Sequence, residues 1–161
     1  MYSFSKVTNY LYLGDYNAAT NLVLLQHHKI THILTVGDGM TPCNPEQFQW
    51  KSINIADLSS CDISQHFDEC NDFIDKANRE KGRVLVHCSN GVSRAPTITI
   101  AYLMYKKPCG FTQAFEFVKA KHPDTAPNSG FSAQLRQYQT SMNKSSKHDL
   151  TTGDACNCKL F

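Results

Sequence analysis

The chain has no run of about 18 consecutive apolar residues, so no helix in it is expected to cross a bilayer. Its opening, Met1 to Lys6, lacks the apolar segment of a secretory signal. Excess charge is lacking as well: the formal net charge is +2 at pH 7, which gives no electrostatic footprint for nucleic acid. No internal repeat is visible. Cysteine, by contrast, is plentiful, with seven among 161 residues. Without a signal segment these are expected as free thiols in a reducing compartment, and an odd number leaves one unpaired in any disulfide scheme. Metal-ligand spacing is missing. His27, His28 and His32 are separated by Lys29 and Ile30, which lead from a helix into a strand, and Cys156 with Cys158 alone does not make a zinc site. No metal and no cofactor is expected. What remains suits one domain of ordinary size, with hydrophobic residues at 41%, enough for a core.

The chain is organised around Val84 to Pro96, V-L-V-H-C-S-N-G-V-S-R-A-P. A short apolar run ends at His87-Cys88, a tight loop follows, and an apolar helical pattern begins behind Arg94. A loop closing onto a helix N-terminus aims backbone N–H groups into one small space, and the helix dipole adds partial positive charge there. Gly91 supplies the backbone freedom of such a turn. Arg94 can offer a planar fork of donors to two phosphate oxygens. Ser89, Asn90, Gly91, Val92, Ser93 and Arg94 therefore read as a phosphate cradle. Cys88 stands at its mouth, where the positive field favours a thiolate aimed at phosphorus. The plain alternative is a buried structural cysteine in a strand-to-helix turn; the strand, His87, Gly91 and the following helix together argue against it.

H-C-S-N-G-V-S-R resembles the H-C-x-x-G-x-x-R signature of the cysteine-dependent protein tyrosine phosphatases. Val7 to Ala19, Ile30 to Val36, Ala114 to Lys119 and Ala126 to Leu135 are similar to their small, atypical dual-specificity branch, and the likeness runs from about Ser3 to Ser141. The resemblance implies a phosphatase that hydrolyses phosphotyrosine and phosphoserine or phosphothreonine through a cysteinyl-phosphate. It departs at Ala95, where the family usually has Ser or Thr.

Periodicity places strands at Leu11–Leu13, His32–Val36, Gln49–Ile55 and Val84–Val86. It places helices over Tyr16–His28, from Asp62 onward by capping-box spacing to Gln65, over Ile98–Tyr105, from Gly110 to Lys121, and from Ser129 to about Met142. Phe67, Cys70, Phe73, Ile74 and Ala77 form a buried stripe. Strands alternating with helices imply an α/β domain: a central, mostly parallel, twisted sheet with helices on both faces, and a ligand site at a strand's carboxyl end. The expected organisation is a catalytic domain over residues 1–142 and a flexible polar tail over 143–161.

Expelling an alkoxide or phenoxide from a phosphomonoester needs a proton donor opposite the nucleophile. Asp57 follows a strand, in a loop able to reach the site, and matches the family's general-acid position. Asp62 is the competitor, but its place before Ile63 reads better as a helix cap. In the second step water hydrolyses the phosphoenzyme with Asp57 as base, while Arg94 and the loop amides hold the oxygens. His87 reads as a hydrogen-bonding brace that keeps the loop in place and helps keep Cys88 ionised, or as a satisfied buried histidine. Asn128 matches a family position that braces the loop; otherwise it is a turn residue after Pro127. Ala95 offers no hydroxyl to the sulfur of Cys88.

Two rival functions stay open at this level. One keeps the chemistry but takes a phosphoinositide, RNA or glucan phosphate; no carbohydrate module or lysine-rich catalytic loop supports it. The other is a weakly active phosphoprotein-binding module, which would be expected to lose Cys88, Arg94 or Asp57. Partners are expected to be phosphoproteins, protein kinases among them, with no separate kinase-docking module in view. Cys158-Lys159-Leu160-Phe161 has the form C-a-a-X, its final Phe pointing to geranylgeranyl, although Lys159 is not aliphatic. Cys156 could carry a second acyl chain, since one lipid alone anchors weakly. The alternative is an ordinary tail that ends near cysteines. The expected location is cytoplasmic, with peripheral membrane attachment through a lipid on Cys158.

Overall fold

Side-chain alternation along the strands decides the architecture. In β2 (Leu11–Gly14), β3 (His32–Val36) and β5 (Val84–His87), one set of residues enters one buried cluster and the residues between enter another. Leu11, Leu13, Leu34, Val36, Val84 and Val86 belong to the larger cluster; Tyr12, Ile33 and Leu85 belong to the smaller. Both faces are therefore apolar, as in a sheet covered on both sides. The computed structural model, which describes residues 1–146, shows that sheet. Its strand order is β1-β2-β5-β3-β4, with β1 (Phe4–Lys6) antiparallel to β2 and the other pairings, including β3 with β4 (Gln49–Ile53), parallel. The strand that delivers the cysteine lies in the middle, its end residue His87 paired with Gly14 on one side and Thr35 on the other.

The larger cluster is built by α3 (Phe67–Arg79), α4 (Arg94–Lys106), α5 (Phe111–Lys121) and α6 (Ser129–Ser146). α3 buries Phe67, Cys70, Ile74 and Ala77, with Phe73 half-buried against the His32 ring. α4 is buried from Arg94 to Met104, which is why its sequence is apolar on every side. The smaller cluster is covered by α1 (Tyr16–Thr20) and α2 (Leu22–His27).

Several boundaries differ from the sequence reading. The helix expected over Tyr16–His28 is two helices. Asn21 stands between them in extended conformation, its N–H closing α1 on the Ala18 carbonyl and its side chain capping α2 at Leu24 N. The apolar spacing runs across that break, which hides it, and Val23 within that range is 77% exposed. β4 stops at Ile53 rather than Ile55. β1 has too few residues to show a period, and was not expected. The Asp62–Gln65 pair does cap, with Asp62 Oδ1 accepting from Gln65 N and Gln65 Nε2 donating to the Asp62 carbonyl, but on a 3-10 turn, Ser64–His66, ahead of α3. α6 runs on to Ser146, so the residues from Asn143 to Ser146 are helical rather than part of the tail. The expectations for Cys156, Cys158 and the rest of the tail lie outside the described residues.

Candidate active site

β5 ends inside the sheet, and the chain must then turn sharply to start α4 beneath the same edge. Gly91 makes that turn possible. Its φ is +69°, and a Cβ there would lie 3.0 Å from the Gly14 carbonyl oxygen and 3.3 Å from Asp15 N. The loop carbonyls are tied outward to the scaffold. Tyr16 N donates to Ser89 O at 3.1 Å and Ala126 N to Val92 O at 2.8 Å. The Gly91 carbonyl lies 2.8 Å from His122 Nε2. With the Ser89, Gly91 and Val92 carbonyls turned out, the N–H groups from Ser89 to Arg94 donate to no acceptor among the described residues. They form a cradle at the positive end of α4, with Cys88, 3% exposed, at its base.

Arg94 is held before any ligand arrives. Nη1 donates to Asp38 Oδ1 at 2.8 Å and to Ile55 O at 3.0 Å, and Nη2 donates to Ser89 Oγ at 3.0 Å. Nε is buried and finds no acceptor in the described chain. A phosphate oxygen would supply such an acceptor, so the donor set fits a phosphate dianion. Asp38, in the loop after β3, was not among the residues picked out from the sequence. Its carboxyl is held below the usual range by its own backbone N–H and then by Arg94.

His87 is buried between strands. Its Nε2 lies 2.7 Å from Thr35 Oγ1 and its Nδ1 3.4 Å from the Cys88 carbonyl. Burial pushes its pKa down to about 4, so the imidazole is neutral at neutral pH. It braces the end of β5 but brings no positive charge to the sulfur. Ala95 is fully buried and presents only a methyl group. Of the loop hydroxyls, Ser89 Oγ accepts from Arg94 and Ser93 Oγ accepts from Asn128 N at 3.0 Å.

The loop that carries Asp57 is fastened by α6. Asn128 Oδ1 caps the helix at Phe131 N, its N–H donates to Ser93 Oγ, and its Nδ2 donates to Asp57 Oδ1 at 2.8 Å. One residue thus joins the phosphate cradle, the exposed Asp57 and a helix N-terminus, acting as brace and turn residue at once. Gly130 lets the loop lie flat on α6, because a Cβ there would run into the Ser59 carbonyl. Gln134 Oε1 accepts from Ile63 N and Ser64 N, while its Nε2 donates to Cys61 O. Asp62 is committed elsewhere: Ser64 Oγ, at 2.6 Å, is the chief group that lowers its pKa.

His122, at the end of α5 and 1% exposed, is a second residue that was not picked out from the sequence. Ser5 Oγ lies 2.8 Å from its Nδ1, so the ring bridges β1 and the Gly91 carbonyl. Only the long-range contact identifies it; spacing carries no signal. His122→Ala removes that donor from a buried carbonyl. We expect competitive inhibition by inorganic phosphate to weaken about tenfold and kcat/KM to fall in parallel. Unchanged inhibition would mean that Ala126 and Tyr16 hold the loop without it.

A model of the dual specificity phosphatase catalytic domain matches residues 11–141. "Dual specificity protein phosphatase 1" of Arabidopsis thaliana is 45% identical over 132 residues, which span 82% of this chain and 67% of that protein. "Dual specificity protein phosphatase 19" of Mus musculus is 45% identical over 130 residues, 81% of this chain and 59% of that protein. Among solved structures, the human "tyrosine phosphatase-like serine/threonine/tyrosine-interacting protein" superposes with a TM-score of 0.84 at 31% identity, covering 87% of this chain and 97% of that one.

Proposed function

The chain belongs to the dual-specificity protein phosphatases and hydrolyses phosphoproteins, and from that premise we propose how its own residues divide the work. Cys88 attacks phosphorus, an S–P bond forms, and the ester P–O bond breaks. Asp57 gives its proton to the departing oxygen. Water then attacks the cysteinyl-phosphate, Asp57 takes the water's proton, the S–P bond breaks, and phosphate leaves with Cys88 restored as thiolate. Arg94 and the N–H groups from Ser89 to Arg94 hold the equatorial oxygens as charge builds on them. The observation that supports this reading is the outward tethering of the Ser89, Gly91 and Val92 carbonyls, in a loop beside Cys88 whose N–H groups have no acceptor among the described residues.

Phosphotyrosyl and phosphothreonyl peptides, assayed beside a phosphoinositide, test the substrate class. Turnover of both peptides is expected; turnover of the phosphoinositide alone would overturn it. Protein kinases are the proposed phosphoproteins. Support comes from a Dictyostelium discoideum relative, 42% identical over 134 residues and named "MAP kinase phosphatase with leucine-rich repeats protein 1", although this chain spans only 16% of it.

Ala95 sets the pace of the second step. A hydroxyl at that position would donate to the leaving sulfur, and a hydrogen bond to a charged group contributes about 1.5–3 kcal/mol. Loss of that donor slows breakdown of the phosphoenzyme by roughly ten- to a hundredfold, while formation suffers less. We expect a pre-steady-state burst with a good aryl phosphate, and a higher kcat with a smaller burst in Ala95→Ser. No burst, with kcat unchanged in the variant, would assign the sulfur's stabilisation to the loop amides. For the tail we propose a lipid on Cys158 that holds an otherwise cytoplasmic enzyme at a membrane. Mass spectrometry of the intact protein should show the added mass, and its absence would end the proposal.

A further inference from the structure

Beside the phosphate cradle lies a cleft of about 360 Å³, lined by Tyr16, Asn17, Gly39, Met40, Thr41 and Ser89. It shares a wall with the cradle. Ser89 directly follows Cys88, and its Oγ accepts from Arg94 Nη2. On the other side Met40 folds over Gly37, where a Cβ would meet the Met40 Cε and would lie 3.2 Å from Arg94 Nη1. A substrate whose phosphate rests on Arg94 and the loop amides therefore brings its neighbouring residue up to this cleft.

The lining decides what can enter. It holds a phenol ring, a thioether, a carboxamide, two hydroxyls and backbone, but no charged side chain. The two carboxylates adjacent to the lining in sequence are already engaged, Asp38 by Arg94 and Asp15 by the N–H groups of Ser3 and Ala18. A lysine or aspartate entering the cleft would exchange water for neutral hydrogen-bonding groups alone, with no opposite charge to pair with, whereas an apolar side chain gains by burial against the Tyr16 ring and Met40. Tyr16 is 39% exposed, although its backbone is fixed: its N–H is bonded to Ser89 O, and Asp15 caps the helix that it starts. A ring held at the rim offers contact area at little entropic cost, and Met40 faces it as a deformable wall.

We propose that this cleft is a specificity subsite, which takes an uncharged aromatic or long aliphatic side chain from the substrate residue next to the phosphoresidue. The inference rests on the phosphatase reading, and its test separates the two. Phosphotyrosyl peptides matched except at the adjacent positions, carrying Phe, Leu, Gly, Lys or Asp, are compared by kcat/KM, with p-nitrophenyl phosphate as a probe too small to reach the cleft. Wild type should favour Phe or Leu over Gly, Lys and Asp by about tenfold on at least one side of the phosphotyrosine. Tyr16→Ala and Met40→Ala should each reduce that ratio to about twofold or less, whereas Tyr16→Phe, which keeps the ring, should preserve it. Because a ratio is read, changes in absolute rate cancel. If p-nitrophenyl phosphate is not hydrolysed by wild type, the phosphatase reading fails. If it is hydrolysed, but the peptides show no preference or the preference survives both alanine variants, the subsite is overturned.

Discussion

Cys88→Ser is expected to lower turnover by about 10⁴- to 10⁶-fold while leaving phosphate binding close to that of wild type. A serine hydroxyl at the end of β5 is a far weaker nucleophile at neutral pH than a thiolate, so the S–P bond has no effective substitute. Binding is a separate matter. The groups proposed to hold phosphate are the loop N–H donors and Arg94, and the hydrogen bonds that fix them do not involve the sulfur. Tyr16, His122 and Ala126 fix the loop carbonyls, and Asp38, Ile55 and Ser89 fix the guanidinium. Calorimetry with a phosphotyrosyl peptide should therefore give an affinity for the variant comparable with the wild-type inhibition constant for the same peptide. Measurable turnover within tenfold of wild type would remove Cys88 as nucleophile. Loss of binding along with turnover would show that the sulfur organises the cradle.

Asp57→Asn is expected to cost about 10²- to 10⁴-fold in kcat, the usual worth of a positioned acid. The substitution is a clean one for this geometry. The carboxamide oxygen at position 57 can still accept from Asn128 Nδ2, so the loop keeps its tether and only the proton is lost. The penalty should be largest for phosphoserine and phosphothreonine peptides, whose alkoxide leaving groups need the proton most, and smallest for an activated aryl phosphate. A uniform penalty across leaving groups would mean that Asp57 acts in the hydrolysis of the phosphoenzyme rather than in its formation. A variant within a factor of two of wild type would move the acid elsewhere. Asp62 is poorly placed to take over, because Ser64 and Gln65 already occupy its carboxylate.

Local signals carried much of this protein. Cys88, Gly91 and Arg94 share one short loop, so their spacing alone places them on a strand end, a left-handed turn and a helix start. α3 was legible because Phe67, Cys70, Ile74 and Ala77 repeat at the helical period on a single buried face, and β3 because Ile33, Leu34 and Val36 make a short apolar-rich run that stops at Gly37. The break at Asn21 escaped the same reasoning. Hydrophobic spacing reports which side chains face the core, and it continues through a capped break when both short helices lie on the same sheet face. The fastening of the site was decided by tertiary structure. Asp38 reaches Arg94, His122 reaches Gly91, and Asn128 joins Ser93 to Asp57 across long sequence separations. Each of these contacts is one polar side chain meeting one backbone or side-chain group, and a single pair has no period to read. The chemistry was legible because phosphate binding needs its donors close together along the chain. The positioning was not, because it depends on which loops the sheet order β1-β2-β5-β3-β4 brings to the same edge.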